Sequence, residues 1–411
     1  MPETQQLETK QGYKKTKLGW IPKDWEVKQL KNLLEKIVGG GTPSKGQAAY
    51  WNGDIPWATV KDFTNFNSKE TRDKITRIGL ENSSSKLIEA GTVIIPTRMA
   101  LGKAVCFEID VAINQDLKAL YTKPNFNRNF LLHWFYFKSE FIESLGNGST
   151  VKGISLTDLG LIKVKLPPLP EQKAIANCLS TWDDALVKLD QLITAKQRLK
   201  KALMQQLLSG KKRLPGFTGE WEEKRIEDLA KEYTQKNDNN EDIEVLSCTK
   251  YDGLVPSLEY FGRQVFGDDL SKYKIVPKGY FAYATNHIEE GSIGYQDFNK
   301  LGLVSPMYTV FKTDDTINDN YFFKLLKSHR LIHEYNRRME GSIDRRGGLR
   351  WKNFKRIKLT LPSYKEQTAI AEVLNTADRE IQMLKSQREQ LQAQKKGLMQ
   401  QLLTGKKRLK C

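Results

Sequence analysis

The sequence predicts an α+β protein made twice over: two mixed α/β globular domains separated by two long antiparallel coiled-coil helices, with a pseudo-two-fold internal repeat. Three observations lead there. Residues 166–214 and 361–409 align without a gap at a constant offset of 195, and 25 of the 49 positions are identical, where unrelated stretches share about one in twenty. Each copy then runs free of proline from Glu171 or Glu366 to a stopping glycine, Gly210 or Gly405, enough for roughly 58 Å of helix. The segments before the two helices also share an order of β-type runs and one helix, although their loops have almost nothing in common.

Taken in order, residues 1–165 form the first globular domain, opening on a loose basic tail of 17 residues. Its Gly-rich turns alternate with short β-type runs such as Thr92 to Ile95 and Lys103 to Phe107, followed by an aromatic helix from Phe130 to Phe141. Residues 166–213 are the first long helix. Prolines open it, an acidic Glu-Gln pair follows, and Leu179, Trp182, Leu186, Leu189 and Leu203 step by threes and fours along one seam. Lys196 and Lys200 interrupt that seam.

Residues 214–360 form the second domain. Its opening echoes the first, Trp221-Glu222 matching Trp25-Glu26, and β-type runs at Gly279 to Tyr283, Gly294-Tyr295 and Met307 to Phe311 precede a helix expected from about Asp319 to Arg337. Residues 361–411 carry the second long helix with the seam Leu374, Ile381, Leu384, Leu391 and Leu398, interrupted by Arg388 and Lys395. About a dozen residues join Gly210 to Trp221, so the second domain is expected at the far end of the first helix, and the second helix must run back to bury its seam.

The chain has 66 Lys and Arg against 49 Asp and Glu, a formal charge of +17, which favours a polyanionic partner. There is no 18-residue apolar run, and the polar N-terminus carries no signal peptide, so a cytoplasmic location is expected. Cys106, Cys178, Cys248 and Cys411 stand singly, which suggests neither disulfides nor a zinc site. No GxxxxGK(S/T) loop, S-adenosylmethionine-dependent methyltransferase motif or HExxH is present, so no catalytic residue and no metal are assigned. His329 and His333 have helical ligand spacing but no framing carboxylates. Gly39-Gly40-Gly41, Gly102 and Gly294 read as turns rather than phosphate cradles.

The LPPLPEQ…IA opening, the long helix ending in LLSGKKRL and the second copy after a variable domain resemble the specificity subunit of Type I restriction-modification systems. The second copy departs from that pattern with Ser363-Tyr364-Lys365 at its entry. The resemblance implies a non-catalytic DNA-reading subunit whose two globular segments are target recognition domains, one for each half of a split site. It implies two methyltransferase subunits and endonuclease/translocase subunits as partners, with S-adenosylmethionine, ATP and Mg in those partners and no cofactor in this chain. A coiled-coil scaffold that binds only protein, or the recognition subunit of a modification-only or other multisubunit restriction system, is the alternative.

For DNA contact the loops offer Lys45, Lys61, Arg98, Lys103, Gln115 and Lys152 in the first domain, and Arg263, Asn286, His287, Arg345, Arg346 and Arg350 in the second. Arg and Lys fork onto guanine or sit on phosphate, and Asn and Gln pair with adenine. The matched helix ends, Met204 to Arg213 and Met399 to Arg408, recur beyond what the seam needs, which suggests two equivalent docking surfaces for partner subunits.

Overall fold

A computed structural model describes residues 10–148, 151–339 and 348–409. The chain divides into two compact units that cut across the contiguous segments of the sequence. One contains residues 1–190 and 386–411, the other residues 191–385. Each unit therefore joins a globular domain to the start of its own long helix and the end of the other one.

In the first unit, β1 (Leu34–Gly39), β2 (Val93–Pro96), β3 (Val105–Cys106) and β4 (Leu117–Thr122) form an antiparallel sheet in the order β1-β4-β2-β3. Helix α1 (Arg128–Ser144) follows, and helix α2 (Leu169–Leu207) starts after a short strand, Lys163–Leu166, that pairs with Glu26–Gln29. The second unit repeats the plan. Strands β5 (Ala230–Tyr233), β6 (Phe281–Ala284), β7 (Ile293–Tyr295) and β8 (Tyr308–Thr313) take the order β5-β8-β6-β7, again antiparallel throughout.

One expected element is different. The helix from Asp319 to Arg337 is two helices, α3 (Asp319–Leu326) and α4 (His329–Arg338), because the Ser328 hydroxyl caps the Leu331 N–H and starts a new helix there. Helix α5 (Tyr364–Leu402) has the same length as α2, 39 residues. The glycines also depart from expectation in part. Gly40 is no turn residue: a Cβ there would lie 1.8 Å from the Ile113 carbonyl oxygen, so glycine is what lets two backbones touch. Gly294 lies inside β7 rather than in a turn.

The duplicated motif has a physical explanation inside each unit. In the first, the Gln172 Oε1 accepts from the Asn127 N–H at 2.8 Å and its Nε2 donates to the Pro167 carbonyl at 2.9 Å. In the second, Gln367 does the same for Asn318 at 2.9 Å and Pro362 at 3.0 Å. Asn127 and Asn318 in turn cap α1 and α3. The neighbouring glutamate is clamped by an arginine from the end of the other long helix. Arg408 donates Nε to Glu171 Oε1 at 2.9 Å and Nη2 to Oε2 at 2.7 Å, and Arg213 grips Glu366 likewise at 2.5 and 2.6 Å. Leu207 and Leu208 sit in the core of the second unit, and Leu402 and Leu403 in that of the first.

The matched ends are thus consumed largely by folding, which removes their recurrence as an argument for docking surfaces. Lys211, Lys212, Lys406 and Lys407 stay exposed.

The seam residues are buried or half-buried in both helices. The basic residues that interrupt the seam are ion-paired across it. In the first unit Lys395 bonds Asp183, and Arg388, seven residues back, bonds Asp190, seven residues on, at 2.6 Å. In the second, Lys196 meets Glu380 at 2.5 Å and Lys200 meets Asp378. Both runs are antiparallel, as the sequence predicts, and both fix register by charge as well as by leucine.

Candidate nucleic-acid interface

Each unit builds the same corner at one end of its sheet. In the first unit the chain leaves β2 through Thr97, whose hydroxyl donates to the Asp116 carbonyl at 3.1 Å. Ile154 N–H donates to the Thr97 carbonyl at 3.0 Å, and Met99 N–H to the Lys152 carbonyl at 2.9 Å. In the second unit Thr285 leaves β6, its hydroxyl donates to the Met307 carbonyl at 3.0 Å, and Leu349 N–H donates to the Thr285 carbonyl at 2.8 Å. Three chain segments, distant in sequence, are thereby pinned side by side.

Most of the residues expected to contact DNA converge on these corners. Lys45, Lys61 and Gln115 line one cleft of about 750 Å³ in the first unit. Arg98 reaches Asp116 on the same wall at 3.8 Å, and Lys152 lies exposed on the adjoining segment. Lys103 is exposed on the turn after Gly102 and does not line the cleft. In the second unit Asn286 and His287 follow Thr285, and Arg350 follows the Leu349 that bonds it. Arg263 is exposed on the loop after the short helix Ser257–Phe261, with no hydrogen bond to this corner among the described residues. Arg345 and Arg346 lie outside the described residues.

The cleft contains residues that a search for basic groups misses. Trp51 and Trp57 wall it, rings edge to face at 5.2 Å, and their indole N–H groups donate to the Ser44 and Gly41 carbonyls at 3.1 Å each. Thr42 donates its hydroxyl to Gln115 Oε1 at 2.5 Å, and Lys118 donates Nζ to the Gln115 carbonyl at 2.6 Å, which fixes the glutamine's place. Burial holds the Lys118 ammonium below its ordinary pKa. The sequence signal for this cleft was available in the WNGDIPW run, where two tryptophans stand at either end of a bulged strand segment.

Elsewhere the perturbed groups support structure. Burial pushes Lys327 down to about 8, and it donates to the Lys250 carbonyl at 2.9 Å; burial pushes the Cys248 thiol up to about 12. Among the described residues, His287, Glu289 and Glu290 bring three possible metal-ligand atoms within 4.8 Å, all from one largely exposed turn. No helix among the described residues is long and apolar enough to cross a membrane.

The model of the Type I restriction modification DNA specificity domain matches this chain twice, over residues 22–199 and 218–393. The chain belongs to that family. The two matches coincide with the two copies of the corner-bearing sheet and the helix that follows it.

Among curated family members, the MjaIX Type I restriction enzyme specificity subunit of Methanocaldococcus jannaschii is 32% identical over 180 residues, 42% of this chain and 41% of that one. The putative MjaX specificity subunit of the same organism is 25% identical over 444 residues, covering 98% of this chain and 99% of its own. The chain thus spans under half of the first relative and nearly all of the second. In fold it is similar to the S subunit of a Type I restriction-modification system from M. genitalium, with a TM-score of 0.57, 17% identity and coverage of 92% of this chain and 96% of that one.

Proposed function

We propose that this specificity-family chain is the DNA sequence-specificity subunit of a Type I restriction-modification complex, reading a bipartite target with one half-site per globular domain. The observation that carries the reading is the repeated corner: the same hydrogen-bonded frame in both units, dressed with Lys45, Lys61 and Gln115 in one and Asn286, His287 and Arg350 in the other. A common frame with different side chains is what two readers of different base sequences require, because phosphate contacts position the protein while side chains on base edges specify. The positive charge supplies the salt-dependent part of the affinity.

In this reading the chain is cytoplasmic and performs no chemistry. S-adenosylmethionine, ATP and Mg act in its partners, two methyltransferase subunits and the endonuclease/translocase subunits, and the paired helices serve as spacer and docking frame. Whether the complex also cuts is set by those partners.

The test is an exchange of residues 34–160 for the corresponding domain of a relative, followed by mapping of methylated bases. One half-site should change and the other stay as it was. Simultaneous change of both halves would show that the domains do not read independently.

A further inference from the structure

An exposed methionine stands in each corner. Met99 is 50% exposed and lines the cleft beside Trp51, Lys61 and Gln115, and Met307 is 60% exposed in the turn whose carbonyl receives the Thr285 hydroxyl. The backbone makes Met99 the more telling of the two. Its φ is +60°, in the left-handed region that disfavours a residue with a Cβ, and the bond from its N–H to the Lys152 carbonyl keeps it there. A glycine would take that conformation without strain, as Gly102 does three residues on at +79°. The position is therefore not chosen for its backbone, and the side chain it presents is an unbranched, polarizable one held out into water.

The neighbours narrow what it meets. Lys61, Arg98 and Gln115 offer hydrogen bonds and charge, which suit phosphates and the polar edges of bases. The apolar feature on a base edge in the major groove is the 5-methyl group of thymine. Resting on the function proposed above, we infer that Met99 is a specificity-determining residue that packs its terminal methyl on a thymine methyl in the first half-site, and that Met307 does the same in the second. Discrimination for thymine at those positions then comes from apolar contact, while Gln115, fixed by Thr42, and the lysines read or brace the adjacent groups.

The experiment uses the full chain with its methyltransferase subunits and synthetic duplexes carrying the target mapped from its own methylation. Each thymine is replaced in turn by deoxyuridine, which deletes only the methyl. With the wild-type chain, one substitution in the first half-site should weaken binding about fourfold, the effect of removing one buried methyl-sized group from contact. With Met99→Ala that penalty should vanish while the sensitive position in the second half-site keeps its own, and Met307→Ala should show the converse. Met99→Leu should keep the penalty, and if Met99→Ala binds too weakly to titrate, Met99→Gln supports the same comparison. A penalty that persists in both Met99→Ala and Met99→Gln, or a first half-site with no methyl-sensitive thymine, overturns the inference. Absence of any sequence-selective binding by the wild-type complex would overturn the functional reading instead.

Discussion

Arg213→Ala should destabilise the second unit, because it leaves the buried Glu366 carboxylate without its partner. Glu366 is 1% exposed and takes both of its charge-assisted bonds from that one guanidinium. The first unit is better insured. Glu171 also accepts from Trp25 Nε1 at 2.9 Å, whereas the matching Trp221 Nε1 has no hydrogen-bond partner. Thermal or urea unfolding should therefore show a larger loss for Arg213→Ala than for Arg408→Ala. Adding Glu366→Leu to Arg213→Ala should restore much of the loss, since the uncompensated charge goes with it. An unfolding midpoint unmoved by Arg213→Ala would mean the clamp is decorative.

Acid should weaken the first unit through one histidine. His133 is 2% exposed; burial, helped by Lys395 and opposed by Asp183, pushes it down to about 4 from an ordinary 6.5. Its Nε2 lies 3.1 Å from Ser180 Oγ, its Nδ1 has no hydrogen-bond partner, and Tyr136 packs on its ring edge. Because the folded pKa is depressed, the unfolded chain takes up a proton below 6.5 that the folded chain refuses until about 4. Stability is thus complete above 6.5 and falls through that window, by roughly 3 kcal/mol in all.

Two carboxylates are held below their ordinary range by their partners. Asp24 is held below the usual range by Arg408, and at Asp378 burial would raise the pKa but the bonds from Lys200 and Lys324 outweigh it. His133→Gln should flatten the dependence between pH 6.5 and 4, read as unfolding midpoint against pH. An unaltered slope in that variant would refute the assignment.

The long helices, their antiparallel pairing and the duplicated domain order are legible in the sequence because each rests on a local rule: proline placement, a seam of leucines, a repeat. The interruptions at Lys196, Lys200, Arg388 and Lys395 are visible too, but their meaning is not, since the acids that answer them lie on the other helix. The same distance in sequence hides what the Glu-Gln motif is for. His133 and Lys324 show the limit most plainly. Each stands six residues after its capping asparagine, and each meets the Asp183 or Asp378 of the seam, yet one is neutral and the other charged. At the corners, the basic loop residues can be picked out from the sequence, while Met99 and Met307 require knowing which loops the threonine bonds bring together.

The first unit is not complete until the second has been made. Met399, Leu402 and Leu403 fill its core and Arg408 closes on its Glu171, yet residues 386–411 are made only after the whole of the second unit. A ribosome adding about 5 to 20 residues each second needs on the order of ten seconds or more to pass from residue 190 to residue 411. Over that interval the first domain exposes the apolar surface around Ile175 and Leu179, while the second unit, encoded without interruption, can close as it emerges. A stop after Lys385 would accordingly spare the domain nearer the lesion and cripple the one encoded earlier. Limited proteolysis of that truncation should release fragments from the N-terminal half first.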